Sequence, residues 1–305
     1  MISIDKLLQI IEQNSVGLIE EFKRVFHGRG GCYEGWKDVT IDSIDNTLLV
    51  TLFYKLDSLI EKNFFIMLRT YIKTSRHTTI VVQKRYDKKY PIEILEGKLQ
   101  KENFALEDGI KIKLNLHSNQ NNGYFPDMKN GRTYIKSIAK DKNILNLFSY
   151  TCTFSLFAID GNAKSVTNVD MSKSSLSIGR ENHHLNNLPT KNISFMPYNI
   201  LKSFSRIKKN GPYDIIIIDP PTLQKGSFEA NNDYIKIIRR LENLANKECT
   251  ILACLNSPNL NEDFLVQLFK QEAPNFIFKK RLENLKEFPA IDNQRSLKNL
   301  VFIKK

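Results

Sequence analysis

Apolar and polar positions follow two different rhythms along this chain, and the change falls near Asp141. Before it the pattern is mixed. Ile4 to Gln13 and Val16 to Phe26 place apolar residues at helical spacing and predict two opening helices. After the Gly-rich stretch HGRGGCYEGW, the run VTIDSIDNTLLVTLFY alternates with period two on either side of an Asp-Asn turn, which predicts a hairpin. Leu59 to Ile72 is helical in spacing again. TTIVVQKRY, EILEG, NFALED and IKIKLNL are short strand candidates punctuated by Pro91, Gly97 and Gly109. Together these elements predict a small N-terminal α+β domain over residues 1–117.

From Asp141 strands and helices take turns. NILNLF, SVTNVD, NISFM, DIIIID and CTILACL read as strands. FSLFAID, SKSSLSIGRENHHLNN, Asn199 to Ile207, Asp233 to Ala245 and Asn261 to Lys270 read as the helices that follow them. Repeated β-α units build a parallel, doubly wound α/β sheet. NFIFKKRL and SLKNLVFIKK, with no helix between them, add a C-terminal antiparallel strand pair. This second domain is expected over residues 118–305, with the polar stretch HSNQNNGYFPDMKNGR as the junction. Ile215 to Ile218 has no polar alternation, as a strand buried on both faces requires. Pro220 and Pro221 cannot donate to a ladder and must end that strand. Asp219 therefore stands at the carboxyl end of a central parallel strand, where open α/β sheets bind ligands.

Charge and cysteine usage narrow the partners. The 305-residue chain carries a net charge of +12, a field that favours polyanions such as nucleic acid. Cys32, Cys152, Cys249 and Cys254 form no Cys-x-x-Cys pair and no metal-ligand spacing, so a reduced, cytoplasmic setting without a metal is expected. No apolar run is long enough to span a bilayer, and MISIDKLLQIIEQN reads as an amphipathic helix rather than a signal peptide.

Four strand ends carry the candidate chemistry, and β-α alternation puts all four on one rim of the sheet. The first is the loop Asn146, Leu147, Phe148, Ser149, Tyr150, Thr151, which runs into a helix whose amide dipoles point back at it. The second is Asp170, followed by Met171 and Ser172; an acid there can accept both hydroxyls of a ribose. The third is Asn199, whose amide can pair with a base edge. The fourth is Asp219 with its two prolines. No Gly-x-Gly-x-x-Gly follows the first strand, which ranks a nicotinamide dinucleotide low, and HGRGG lacks the Gly-Lys-Ser/Thr of a phosphate loop. His183 and His184, among Glu181, Asn182 and Asn186, are expected on a solvated helix face. Arg29 and the basic, aromatic-bearing runs KKNGPYD and QKRYDKKY are candidates for RNA contact.

LNLFSYTCTFSLFAIDGNAKSVTNVDMSKSSLSIGRENHHLNNL, followed by IIIIDPPTLQKGSF, resembles the class I S-adenosylmethionine-dependent methyltransferases, and within them the ribosomal RNA large-subunit methyltransferases of the K/L and I types. Upstream, NGYFPDMKNGR resembles that group's aromatic-Leu-Asp-x-Arg element. The resemblance runs from about Glu107 to Lys305, with three motifs in the right order. It implies a Rossmann-like seven-stranded sheet, S-adenosyl-L-methionine as cofactor, and ribosomal RNA or a large-subunit precursor as partner of a monomer or homodimer. It also implies roles. Phe148 to Thr151 match the loop around the methionine end of the cofactor, and Asp170 the ribose-binding acid with Met171 beside the adenine. Asn199 stands where many relatives carry Asp. Asp219 and Pro220 match the motif at the methyl and the target base, and Phe125, Asp127 and Arg132 the upstream element. Lys129 and Cys152 replace a usual Arg and a usual Gly. Met1 to Gln100 shows no PUA or THUMP RNA-binding domain, and its small N-terminal domain is expected to help grip the substrate.

Two departures bear on the atom methylated. Thr222 and Leu223 follow the prolines where amine methylases carry an aromatic residue that stacks on a flipped base. Carbon-5 methylation of cytosine needs a thiolate, but Asn256 falls at the nucleophile position and Cys254 two places earlier, inside a strand. Guanine N7, whose lone pair is already nucleophilic, is therefore favoured. The alternatives are a methyltransferase of a protein or small molecule, and an RNA or assembly factor that binds the cofactor without turnover.

Overall fold

The computed structural model describes residues 2–17, 21–87, 92–117, 121–224 and 228–305. Residues 18–20 of the expected second helix, 88–90 of QKRYDKKY, 118–120 of the junction and 225–227 of the motif after Asp219 lie outside the described residues. The chain forms two compact units, Met1–Pro126 with Leu285–Ile291, and Asp127–Asn284 with Asp292–Lys305.

The first unit begins with α1 (Ile4–Ser15), started by the Ser3 hydroxyl accepting from the Lys6 amide. A five-stranded sheet follows in the order β1 (Lys23–His27), β2 (Val39–Ile44), β3 (Thr47–Leu52), β4 (Thr79–Lys84), β5 (Ile92–Glu96). The helix α2 (Ser58–Ile72) links β3 to β4, and this crossover makes them a parallel pair in an otherwise antiparallel sheet. Leu7 and Ile11 of α1 and Phe64 and Leu68 of α2 are buried with Val39, Ile41, Val50 and Val82 of the sheet. A separate hairpin, β6 (Asn103–Glu107) and β7 (Ile110–Leu114), completes the unit.

One expected helix is corrected here. Val16 to Phe26 does not continue as a helix: Val16 leaves α1 in an extended conformation, Gly17 has φ +69, and Lys23–His27 is strand β1. KRVFH pairs with Thr40, Ile41, Asp42 and Ser43 of β2, and this pairing overrides the apolar spacing that read as a helix. HGRGG is a packing turn. A Cβ on Gly30 would lie 1.7 Å from the Pro289 carbonyl oxygen, so only glycine fits against that segment.

The second unit opens with α3 (Lys129–Ile138) and then alternates β8 (Asn143–Leu147), α4 (Thr153–Asp160), β9 (Ser165–Val169), α5 (Lys173–Leu185), β10 (Ile193–Met196), α6 (Phe204–Lys208) and β11 (Tyr213–Ile218). A short hairpin, β12 (Leu223–Gln224) and β13 (Phe228–Glu229), leads to α7 (Ala230–Ile238), α8 (Leu241–Leu244), β14 (Ala245–Leu255), α9 (Glu262–Glu272), β15 (Phe276–Leu282) and β16 (Lys298–Lys304). The seven-stranded sheet runs β10-β9-β8-β11-β14-β16-β15. Its first five strands are parallel, and β16 inserts antiparallel between β14 and β15. This is the Rossmann-like sheet with the antiparallel strand pair that the pattern predicted.

Ile215, Ile216, Ile217 and Ile218 are all at most 2 % exposed. Ile216 and Ile218 face the layer of α7 and α9, while Ile215 and Ile217 face the layer of α3 and α4. Each such side chain contributes about 1.5–3 kcal/mol by burial, which makes β11 a rigid support for the loop it delivers. The expected helix from Asn199 to Ile207 is a 3-10 turn, Ile200–Lys202, followed by the five-residue α6. The Asn199 side chain caps the start of that turn by accepting from the Lys202 amide at 3.3 Å, and Ser203, with φ -128, interrupts the helix.

Candidate active site

The carboxyl ends of β8, β9 and β11 are adjacent because these strands are parallel neighbours, with Asn146 in register with Asn168 on one side and Ile217 on the other. Side chains alternate along a strand, so Asp170 and Asp219, each two residues further on, project to the same face as that row, one pleat nearer the rim. That face is covered by α3 and α4.

The loop after β8 is held in an unusual backbone. Phe148, Tyr150 and Cys152 have φ of +60, +46 and +61, a left-handed conformation that costs an L-residue about 1–2 kcal/mol. Three contacts hold it. The Ser149 amide donates to Val169 O at 3.1 Å, the Tyr150 amide to Asp170 Oδ2 at 2.9 Å, and the Cys152 amide to Ser149 O at 2.7 Å. Cys152 is fully buried against α5, where a Cβ on Gly179 would lie 2.5 Å from its sulfur. A glycine at 152 suits φ +61 without strain; this chain instead places a thiol there and answers it with Gly179.

Asp170 is 9 % exposed. Its Oδ1 accepts from the Ser172 amide at 2.8 Å, and Ser172 in turn caps α5 by accepting from the Ser175 amide at 3.1 Å. Burial raises the carboxyl pKa of Asp170, and the amides of Ser172 and Tyr150 oppose that rise. Met171, beside it, is 46 % exposed.

Asp219 follows β11, its amide reaching Leu147 O at 3.4 Å. Burial first, then the charge of Asp127, raises its carboxyl from 3.8 to about 7, against the pull of Arg132. Asp127 sits in the 3-10 turn Pro126–Met128, and Arg132, on α3, is fully buried with its guanidinium 5.7 Å from the Phe157 ring centre. Pro220 is buried and Pro221 exposed. The Thr222 hydroxyl donates to Asn256 O at 2.6 Å and ties this loop to the end of β14.

The structure thus gathers Asn146, Phe148, Ser149, Tyr150, Thr151, Asp170 to Ser172 and Asp219 to Pro221 on one rim, with Asp127 and Arg132 facing Asp219 electrostatically. Asn199 ends the β10 connection on the same rim, its side-chain oxygen capping a turn. Phe125 belongs to the other compact unit, where it is 43 % exposed.

Sequence reasoning missed several groups here. Tyr234 of α7 is buried, and its hydroxyl contacts Cys254 O at 2.9 Å and Ile218 O at 3.2 Å, bracing the ends of β11 and β14. Lys298 is also buried, its Nζ donating to Gln294 O, Ser296 O and Ser257 O at 2.7, 2.8 and 3.1 Å. His183 corrects an expectation: it is fully buried, not solvated, because Ser155 and the Gly179 carbonyl satisfy both ring nitrogens.

A parallel sheet with an acid at the end of its second strand, a tight loop after its first and a carboxylate loop after its fourth defines a nucleoside-cofactor site of the doubly wound class. The model of the S-adenosylmethionine-dependent methyltransferase family matches residues 23–303, and the chain belongs to that family. Its cofactor is S-adenosylmethionine. The chain is 36% identical over 151 residues to the ribosomal RNA large subunit methyltransferase K/L of Pseudoalteromonas translucida, 48% of this chain and 21% of that one. It is 31% identical over 144 residues to the ribosomal RNA large subunit methyltransferase I of Aeromonas salmonicida, 47% of this chain and 36% of that one. The matched stretches therefore span well under half the length of these relatives. The fold is similar to that of SMU.776 complexed with SAH, with a TM-score of 0.87 at 23% identity over 100% of this chain and 82% of that one. The residues of the rim fit such a cofactor. Asp170, an acid at the end of the second strand with the exposed Met171 beside it, is the side chain such a nucleoside cofactor needs there.

Proposed function

We propose that the chain transfers a methyl group from S-adenosylmethionine to a base of large-subunit ribosomal RNA, with guanine N7 as the acceptor. When bound, the cofactor supplies a methyl group already activated on a sulfonium, so the protein's task is positioning. In this reading Asn146 and Phe148 to Thr151 hold its methionine end. Asp170 holds the ribose, and Met171, Ser172 and Asn199 lie along the adenine. Asp127 and Arg132 complete the cofactor site. Asp219, Pro220 and Pro221 flank the methyl group and the target base. The carboxylate of Asp219 is the observation that carries the proposal: it is costly to ionise in a protein without ligand, and a cation beside it removes that cost.

Ribosomal RNA is supported by the names of the relatives and by the net charge of +12. N7 is supported over cytosine C5 by Cys254. That thiol is 1 % exposed, and burial and then the charges of Asp219 and Asp127 push its pKa well above 9.0, the reverse of what a thiolate nucleophile needs. The first unit serves as the RNA-gripping domain in this reading. There Arg29 and Arg85 lie 4.1 and 5.4 Å from the ring centre of Phe53.

The test is transfer of tritium from labelled S-adenosylmethionine to purified large-subunit RNA, beside tRNA and total protein, with Asp219→Ala as control. Label confined to the ribosomal RNA and absent with the variant is expected, and nucleoside digestion should return 7-methylguanosine. Label in protein or tRNA alone, or cofactor binding with no transfer to any pool, overturns the proposal.

A further inference from the structure

Lys298 carries a buried ammonium that the proposed reaction does not use. It lies on β16 opposite Leu255, the last residue of β14, and is 0 % exposed. An ammonium has three protons to donate, and three backbone carbonyls take them: Gln294 O at 2.7 Å, Ser296 O at 2.8 Å and Ser257 O at 3.1 Å. Two of these carbonyls belong to the turn before β16, and the third to the loop that leaves β14. The turn before β16 is itself clamped. Arg281 of β15 donates to Asn293 O at 2.8 Å, Ser296 Oγ at 3.0 Å and Leu297 O at 3.0 Å, and pairs with Glu262 of α9 at 3.1 Å. Lys298 therefore ties the β14 loop to a fixed anchor.

That loop reaches the rim. β11 and β14 are parallel neighbours, with Ile218 in register with Ala253, so the loops that follow them lie side by side. Ser257 is buried and follows the exposed Asn256. The Asn256 carbonyl accepts from Thr222 Oγ1 at 2.6 Å, and Thr222 directly follows Asp219, Pro220 and Pro221. The links run unbroken from the anchor through Lys298, Ser257, Asn256 and Thr222 to the Asp219 loop. The bond to Ser257 is the longest of the three ammonium bonds. A neutral amine has two protons for three carbonyls, so this bond is the one released when Nζ loses a proton. Burial and then Arg281 lower the Lys298 pKa from 10.5 to about 8, against the pull of Asp292 and Glu262. A buried charge is a poor way to add stability; here its effect is on the position of one loop.

We infer that Lys298 is a positioning residue for the acceptor side of methyl transfer: its ammonium holds the Asn256–Ser257 loop against the Asp219 loop, so that the segment flanking the target base keeps one position. It acts on turnover and not on cofactor binding, whose groups lie at the ends of β8 and β9. The inference rests on the reading that the Asp219 loop flanks the methyl group and the target base.

The experiment measures kcat and KM for methyl transfer to large-subunit RNA between about pH 7 and about pH 9. The proteins are the full chain, Lys298→Met, Thr222→Val and the double variant. The kcat of the full chain should fall as pH rises through about 8. Lys298→Met has no proton to lose there; its kcat should be flat over this range and roughly tenfold below the full chain at pH 7, since a small misplacement at the reacting groups costs at least that much. KM for RNA should stay within about twofold, as for an interaction felt only in turnover. Calorimetric affinity for S-adenosylhomocysteine should also stay within about twofold, which shows that the variant is folded. Thr222→Val breaks the same line one link further on, so it should lower kcat and flatten the same pH limb, and it tests the inference even where Lys298→Met does not fold. The double variant should fall less than about twofold below the weaker single variant, since residues in one line of contacts are non-additive. A full-chain kcat that holds above pH 8, full kcat in Lys298→Met, a pH limb that persists in Thr222→Val, losses that multiply in the double variant, or lost S-adenosylhomocysteine affinity overturns the inference. Absence of transfer from the full chain to any RNA would instead refute the proposed function, and with it this inference.

Discussion

Asp219→Asn should make the cofactor-free protein more stable while removing its function. The folded carboxyl has its pKa raised from 3.8 to about 7 by burial and by Asp127, so the folded state holds its proton more tightly than the unfolded chain does. Between about pH 4 and pH 7 the folded protein binds a proton that the unfolded chain has released, and stability from this group falls as pH rises. Above pH 7 both states are ionised and the cost is constant. One pH unit is worth about 1.4 kcal/mol, so the accumulated cost approaches about 4 kcal/mol. Asparagine does not titrate. The difference between variant and parent should therefore be small near pH 4, about 1–2 kcal/mol at pH 5 and about 3–4 kcal/mol at pH 8. Urea melts of both proteins at these three values, without cofactor, measure it. A difference that is the same at pH 5 and pH 8, or a variant less stable than the parent at pH 8, would show that Asp219 is not the desolvated carboxyl described and would refute the reasoning.

Two other substitutions probe the same rim. Gly179→Ala should destabilise by about 1–3 kcal/mol, because its Cβ would lie 2.5 and 2.8 Å from Sγ and Cβ of Cys152; adding Cys152→Gly should restore most of that in urea melts, since it clears both contacts and suits φ +61. Cys254→Ala should keep methyl transfer within about twofold, as for a small packed side chain, and abolition of transfer with binding intact would move the acceptor to cytosine C5.

The parts of this molecule that were legible in the sequence are those set by periodicity. Four isoleucines without alternation announce a strand covered on both faces, and the two prolines announce where it stops. Asp219 was readable at the strand end for that reason alone. Polar groups with buried partners were not readable. His183 sits among Glu181, Asn182 and Asn186, and only the fold reveals that Ser155, 28 residues earlier, comes within 3.0 Å of its ring. The helix expected over Val16 to Phe26 failed for a related reason. Its apolar spacing suits a helix, but β2 offers KRVFH a ladder, and strand pairing is decided by a neighbour that local spacing cannot see. The left-handed residues Phe148, Tyr150 and Cys152 carry no glycine to announce them.

Several costs of the second unit meet on one rim, although Asp141, Asn162 and Asn187 are left-handed elsewhere and Asn284 and Asn299 carry further buried oxygens without a partner among the described residues. Three L-residues in left-handed conformations, a carboxyl that resists ionisation and a buried acceptor without a partner all lie on the rim of β8, β9 and β11. Strain of about 1–3 kcal/mol per residue persists only where the surroundings over-determine the backbone. Here β8, β9 and β11 do so: their inner residues are buried on both faces, and Tyr234 and Thr222 lock β11 and its loop to β14 and the residues just beyond it. A cationic cofactor seated as proposed would relieve one of these costs, the ionisation of Asp219. Cofactor binding should therefore stabilise this rim beyond what simple occupancy confers on a rigid, unstrained site. The same substitutions that stabilise the free protein, Asp219→Asn first among them, should then reduce the stabilisation gained on binding.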